Sequence, residues 1–138
     1  GPSGSIGSGL SMAIAAKLCK PDLPVVAVMG DGTFGFHMSE LDTAVRYGSA
    51  PIVIVANDAR WNAEYQIQLS RFGEDRLIGC ELQPTRYDQC VEPFGVTGAH
   101  ATDQASLRQA LLQALGNTRA TCINVELDGH PAPQFARP

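Results

Sequence analysis

Two rhythms of apolar and polar positions alternate along the chain, and each predicts a different element. Over residues 6–20, Ile6, Leu10, Ala13, Ile14 and Leu18 recur at three- and four-residue steps, the period of a helix face, before Lys20, Pro21 and Pro24 end the segment. Residues 25–29 form an unbroken apolar run bounded by proline and glycine, short enough for a buried parallel strand. A glycine-rich loop over residues 30–35 follows at its carboxyl end. Ser39 with Asp42 three positions on has the form of a helix cap, Leu41, Ala44 and Val45 supply a buried stripe, and Gly48 suits the left-handed position after the helix.

The alternation continues. Pro51 precedes a second strand at 52–56, residues 57–62 form a polar turn, and 64–72 a short helix followed by an irregular stretch through Thr85. A helical turn is expected at 87–94 and a short strand at 96–101. An amphipathic helix follows, marked by Leu107, Leu111, Leu112 and Leu115, and a last strand runs over 122–127. The order α-β-α-β-α-α-β-α-β with short connections predicts an α/β fold, a doubly wound and mainly parallel sheet with helices on both faces. Ligands on such sheets bind at the carboxyl ends of the strands, where 30–35 and 57–62 both lie.

Composition narrows the partners. At 138 residues, 44% hydrophobic and 17% charged, the chain is sized for one domain spanning 1–138. A net charge of -4 without a basic run argues against nucleic acid or an anionic membrane surface. Cys19, Cys80, Cys90 and Cys122 make no C-x-x-C pair, so neither a zinc knuckle nor a redox motif is expected, and buried free thiols in a reducing cytoplasm fit best. The opening GPSGSIGSG is a loop with no element before it, which suggests a domain excised from a longer enzyme.

Within VVAVMGDGTFGFH, Gly30, Gly32 and Gly35 have the G-x-G-x-x-G spacing of a dinucleotide loop, and Asp58 lies 58 − 35 = 23 residues past Gly35, where a ribose-binding acid would suit. Asp31 fits that reading poorly, because a carboxylate beside a pyrophosphate repels it unless a cation lies between. With Mg²⁺ or Ca²⁺ present, Asp31 and Asp58 from neighbouring strand ends could supply two hard oxygen ligands and a nearby carbonyl a third. Gly30 and Gly32 would then let the backbone approach a diphosphate, and Thr33 could donate to its oxygens. A metal-bridged diphosphate site, a dinucleotide site and a purely structural turn all remain open on these grounds.

The segment GDGTFGFHMSELDTAVRYGSAPIVIVANDARW resembles the signature of thiamine diphosphate-dependent enzymes, Gly-Asp-Gly followed by a paired amide, with 58 − 31 = 27 residues between Asp31 and Asp58. Gly4-Ser5-Ile6-Gly7 is similar to the loop that holds the cofactor's aminopyrimidine, and EPFGVTGAHATD with ATCINVEL to the close of the C-terminal diphosphate-binding domain. Acetolactate synthase, benzaldehyde lyase and 2-hydroxyacyl-CoA lyase resemble it most, through SELDTAVR, the Asn-Asp-x-x-Trp turn and TCINV.

The resemblance implies thiamine diphosphate and Mg²⁺ as cofactors, with Ca²⁺ as an alternative ion. Asp31 and Asp58 would bind the metal through carboxylates and Arg60 through its carbonyl. Gly30, Gly32 and Thr33 would meet the diphosphate, with Trp61 and Asn62 bordering the cofactor. Ile6 would hold the cofactor bent, beside Ser5, and the Gly4 carbonyl would accept from the 4'-amino group. Asp58 stands where the family usually has asparagine, and the Arg60 guanidinium could neutralise some of the added charge or face water, the latter being expected.

No catalytic residue is expected in this chain, since the family's activating glutamate lies on the pyrimidine-binding domain of the same or another chain. The implied whole is a homodimeric or tetrameric 2-keto acid decarboxylase, carboligase or C–C lyase acting on a small 2-keto acid, 2-hydroxy ketone or acyl substrate. The alternative is a separate small subunit or non-catalytic cofactor-binding module, with a dinucleotide-binding domain behind both. Elsewhere, His37, His100 and His130 suit structural or surface positions, and Ser3, Ser5 and Ser8 lack the paired His and Asp of a hydrolase.

Overall fold

The computed structural model describes residues 5–131. Helix α1 (Gly9–Cys19) leads into strand β1 (Val26–Gly30), the one-turn helix α2 (Asp31–Gly35) and helix α3 (Glu40–Arg46). Strand β2 (Ile52–Asn57) is followed by α4 (Asn62–Phe72) and, after a 3₁₀ turn at Glu74–Arg76, by α5 (Tyr87–Val91). A second 3₁₀ turn, Glu92–Phe94, precedes β3 (Thr97–Ala101), α6 (Gln104–Leu115) and β4 (Thr121–Glu126).

All four strands are parallel, in the order β1-β2-β4-β3. Period-two side-chain alternation divides their residues between two cores. On one face Met29, Val53, Val55 and Cys122 pack against Leu10 and Ile14 of α1, Leu41 and Ala44 of α3, and Tyr87 and Val91 of α5. On the other, Ile52, Ile123 and Val125 meet Ala110 and Ala114 of α6. Helices on both faces and a doubly wound parallel sheet are therefore as the alternating pattern predicts. All four cysteines are free, but only Cys80 and Cys122 are buried as expected, Cys19 and Cys90 being exposed; burial pushes the Cys122 thiol up to about 12.

Three details differ from expectation. The helix expected from Ile6 starts at Gly9, because Gly7 takes φ +93, a left-handed value incompatible with continuing a helix. The loop at 30–35 is a helical turn from Asp31 onward, where burial of Phe34 overrides glycine's poor helix propensity. Ser39 makes no side-chain cap, since the preceding turn already holds it in right-handed helical conformation. Gly48 does take the left-handed position after α3, at φ +65.

Candidate functional site

Parallel pairing sets Gly30 of β1 beside Ala56 of β2, so the chain leaves both strands at the same level of the sheet. Asp31 follows one strand end and Asp58 the other, and both line a cleft of about 480 Å³. Asp31 is 2% exposed, and its Oδ2 has no hydrogen-bond partner among the described residues. Burial raises its carboxyl above the ordinary carboxylate range, and the facing Asp58 raises it further. The backbone N–H groups of Gly32 and Arg60 pull in the opposite direction. A buried acid with an orphaned oxygen facing a second acid is costly by itself and is relieved by a cation.

The turn carrying Asp58 is held from beneath. Asn57, buried at the end of β2, donates through Nδ2 to the Thr85 carbonyl at 2.8 Å and to Asn124 Oδ1 at 2.9 Å. Its Oδ1 accepts from the Ala59 N–H at 3.1 Å, which stabilises Ala59 at φ 54. Beyond it, Leu82 N–H donates to the Ala59 carbonyl and Trp61 N–H to the Cys80 carbonyl, an antiparallel bridge that pairs Arg60 with Glu81. Successive peptide groups in such a ladder point to opposite sides, so the N–H and C=O of Arg60 face away from 80–82. The N–H reaches the neighbourhood of Asp31, and in an extended ladder residue the carbonyl turns to the same side as its N–H.

Of the residues expected at the site, Ile6, Gly30, Asp31, Gly32, Thr33, Asp58, Arg60, Trp61 and Asn62 all line this cleft. Ser5 is exposed and does not line it, and Gly4 lies outside the described residues. Trp61 both lines the cleft and packs: a Cβ on Gly32 would come within 2.6 Å of its ring, and Phe36 lies 5.5 Å from it between centroids. Asn62 is tied back through Nδ2 to the His130 carbonyl at 2.7 Å. Arg60 corrects an expectation, because its guanidinium stacks over the Tyr65 ring at 4.4 Å instead of standing free in water. His37 is exposed, its ring 2.9 Å from where a Gly7 Cβ would stand.

Sequence reasoning missed Ala56, Ala63, Glu64 and Leu127 as lining residues. It also missed the Asn57–Asn124 bond, which joins residues far apart in the chain. Only Asn124, a polar residue inside an apolar strand run, offered a signal. A second cavity of about 370 Å³ opens at the amino ends of the strands beside Ser49 and Arg119, and no acid among the described residues lines it.

A family profile described as "Thiamine pyrophosphate enzyme, C-terminal TPP binding domain" matches residues 1–125. The chain belongs to this family. It is 38% identical over 129 residues to a probable acetolactate synthase of Mycobacterium bovis, covering 93% of this chain and 23% of that protein. With 2-hydroxyacyl-CoA lyase 2 of Homo sapiens it shares 31% identity over 131 residues, 95% of this chain and 20% of the relative. Among solved structures, a thiamine diphosphate-dependent 4-hydroxybenzoylformate decarboxylase from Rhodococcus jostii superposes with a TM-score of 0.85. It is 26% identical to the chain and covers 93% of it, against 24% of its own length. The chain thus spans about a quarter or less of the length of these relatives.

Membership makes this a thiamine diphosphate-binding domain. The cleft also fits a divalent cation. Two carboxylates and an inward carbonyl are a hard oxygen set, incomplete by itself, of the kind that phosphate oxygens complete around Mg²⁺. No cluster of three or more acidic, histidine or cysteine ligands exists among the described residues. A closed, all-protein cage of such side chains is accordingly absent from that region.

Proposed function

We propose that this chain is the diphosphate- and Mg²⁺-binding half of an enzyme that makes or breaks carbon–carbon bonds next to a carbonyl, as a 2-keto acid decarboxylase, carboligase or lyase. The observation that carries the metal is the orphaned, buried Oδ2 of Asp31 facing Asp58. Asp31, Asp58 and the Arg60 carbonyl would hold the ion, and Gly32 and Thr33 would bind the diphosphate oxygens beside it. Ile6, 55% exposed at the cleft, offers an apolar side chain against which the cofactor's rings can rest. Bound thiamine diphosphate supplies an electron sink for cleavage or formation of the carbon–carbon bond.

The residues of this chain bind and orient, and a pyrimidine-binding domain completes the cleft. Names of the relatives support the reaction class: acetolactate synthase, 2-hydroxyacyl-CoA lyase and 4-hydroxybenzoylformate decarboxylase all act at a carbon beside a carbonyl. Four free cysteines suit a reducing compartment. Calorimetry of the full-length protein with thiamine diphosphate and Mg²⁺ is expected to show binding that requires both. Asp31→Ala should remove it, and unchanged affinity in that variant would refute the metal assignment.

A further inference from the structure

A role confined to the backbone carbonyl leaves the Arg60 side chain unexplained. Its guanidinium lies 4.4 Å over the Tyr65 ring, and the residue lines the same cleft as Asp31 and Asp58. A Cβ built on Gly129 would stand 3.1 Å from Arg60 Nη1 and 3.4 Å from Asp58 Oδ2. Guanidinium and carboxylate therefore border one small space that a glycine keeps open. Stacking on an aromatic ring restrains a long cationic side chain, so the charge is held beside the acids and does not sweep through solvent.

The charge balance of the cleft gives that restraint a purpose. Asp31, Asp58 and Glu64 line it, and Arg60 is the one base among its described lining residues. A divalent cation offsets two carboxylates and leaves nothing to offset a diphosphate. An amide at position 58 would lessen the shortfall by one charge; with aspartate there, a protein cation close by would offset the charge added. We propose that Arg60, fixed by Tyr65, is a positioning residue whose guanidinium compensates the charge of Asp58 and so lets a two-carboxylate metal site accept a diphosphate.

This inference rests on the cleft being a metal–diphosphate site, and the test separates the two. Binding of Mg²⁺ with thiamine diphosphate is measured by calorimetry on the full-length protein carrying Arg60→Met, Asp58→Asn, or both. Arg60→Met is expected to weaken binding roughly tenfold with Asp58 present and by less than about threefold in the Asp58→Asn background. Arg60→Lys, which keeps the charge, should stay within about threefold of the unsubstituted protein, and Tyr65→Leu should weaken binding less than Arg60→Met does. Ligand-free melting curves verify folding, and Arg60→Gln stands in under the same criterion where the Met variant fails to fold. Equal losses in both Asp58 backgrounds, or Lys behaving like the neutral variants, overturn this inference and leave the cofactor site intact. No binding by the unsubstituted protein overturns both.

Discussion

Asp31 is where stability and binding oppose each other. Its carboxyl is raised by burial first and by Asp58 second, with one oxygen unpartnered. A raised folded-state value means that the stability tied to this group is fully present below its unfolded value. It is lost as pH rises through the folded one. The ligand-free fold therefore loses the stability tied to this group as pH rises from the acid range. Asp31→Asn should raise the ligand-free Tm by roughly 2–4 °C near neutral pH, with the gain shrinking as the pH is lowered toward the carboxylate range. The same variant should lose Mg²⁺-dependent cofactor binding, a trade of stability for function. Melting curves across pH check the first half, and a Tm that falls in Asp31→Asn at neutral pH would contradict it. Asp31 and Asp58 were legible as a pair because each follows an apolar strand run and parallel strands end at one level. Arg60 was not, because the ring that captures it belongs to the next helix, and Asn57 was not, because its partner Asn124 sits on a strand near the other end of the chain.

At the scale of elements, the strands were readable to within a few residues, since each is an apolar run between proline, glycine or polar turns. Caps were less so. Ser39 has the right spacing and no cap bond, whereas Asp103 forms a full capping box with Ser106: the Ser106 N–H donates to Asp103 Oδ1 at 2.7 Å, and the Asp103 N–H donates to Ser106 Oγ at 3.2 Å. The difference is the backbone before the helix, extended at Asp103 and already helical at Ser39. The Ser106 backbone N–H, and after it the Ser106 hydroxyl, lowers the Asp103 carboxyl below its ordinary value. Its contribution is accordingly present above the unfolded value and lost as pH falls through the folded one. Asp103→Ala should lower the Tm by roughly 2–6 °C at neutral pH and by less in acid, whereas Ser39→Ala should leave it within about 1 °C. Equal effects of the two substitutions would show that α6 does not depend on its cap. The bridge between Arg60 and Glu81 lay hidden in a stretch without periodicity, because it is one residue pair long and no alternation announces it.

The whole molecule is covered unevenly. Helix α6 shields β2, β4 and β3 on its face, but the edge strand β1 leaves Val26 and Val28 on that face, 45% and 68% exposed. Purely parallel sheets are normally covered on both faces, and an open apolar edge strand invites pairing with another chain. Each valine, if fully buried, would contribute about 1.5 kcal/mol, so the surface is an incentive to association and no ordinary solvated face. The relatives have chain to spare for covering it, since this segment accounts for 23% of the M. bovis protein. In the 138-residue chain alone, Val28→Lys is expected to reduce concentration-dependent self-association in sedimentation experiments without altering the circular dichroism spectrum. In a longer protein of the relatives' length whose added chain covers this face, the same substitution should lower the Tm by roughly 2–4 °C, because a lysine would then be forced against the covering segment. Reduced self-association of the 138-residue chain together with a lowered Tm in such a longer protein would identify the face as one that added chain covers, and an unchanged Tm there would mark it as solvent-facing.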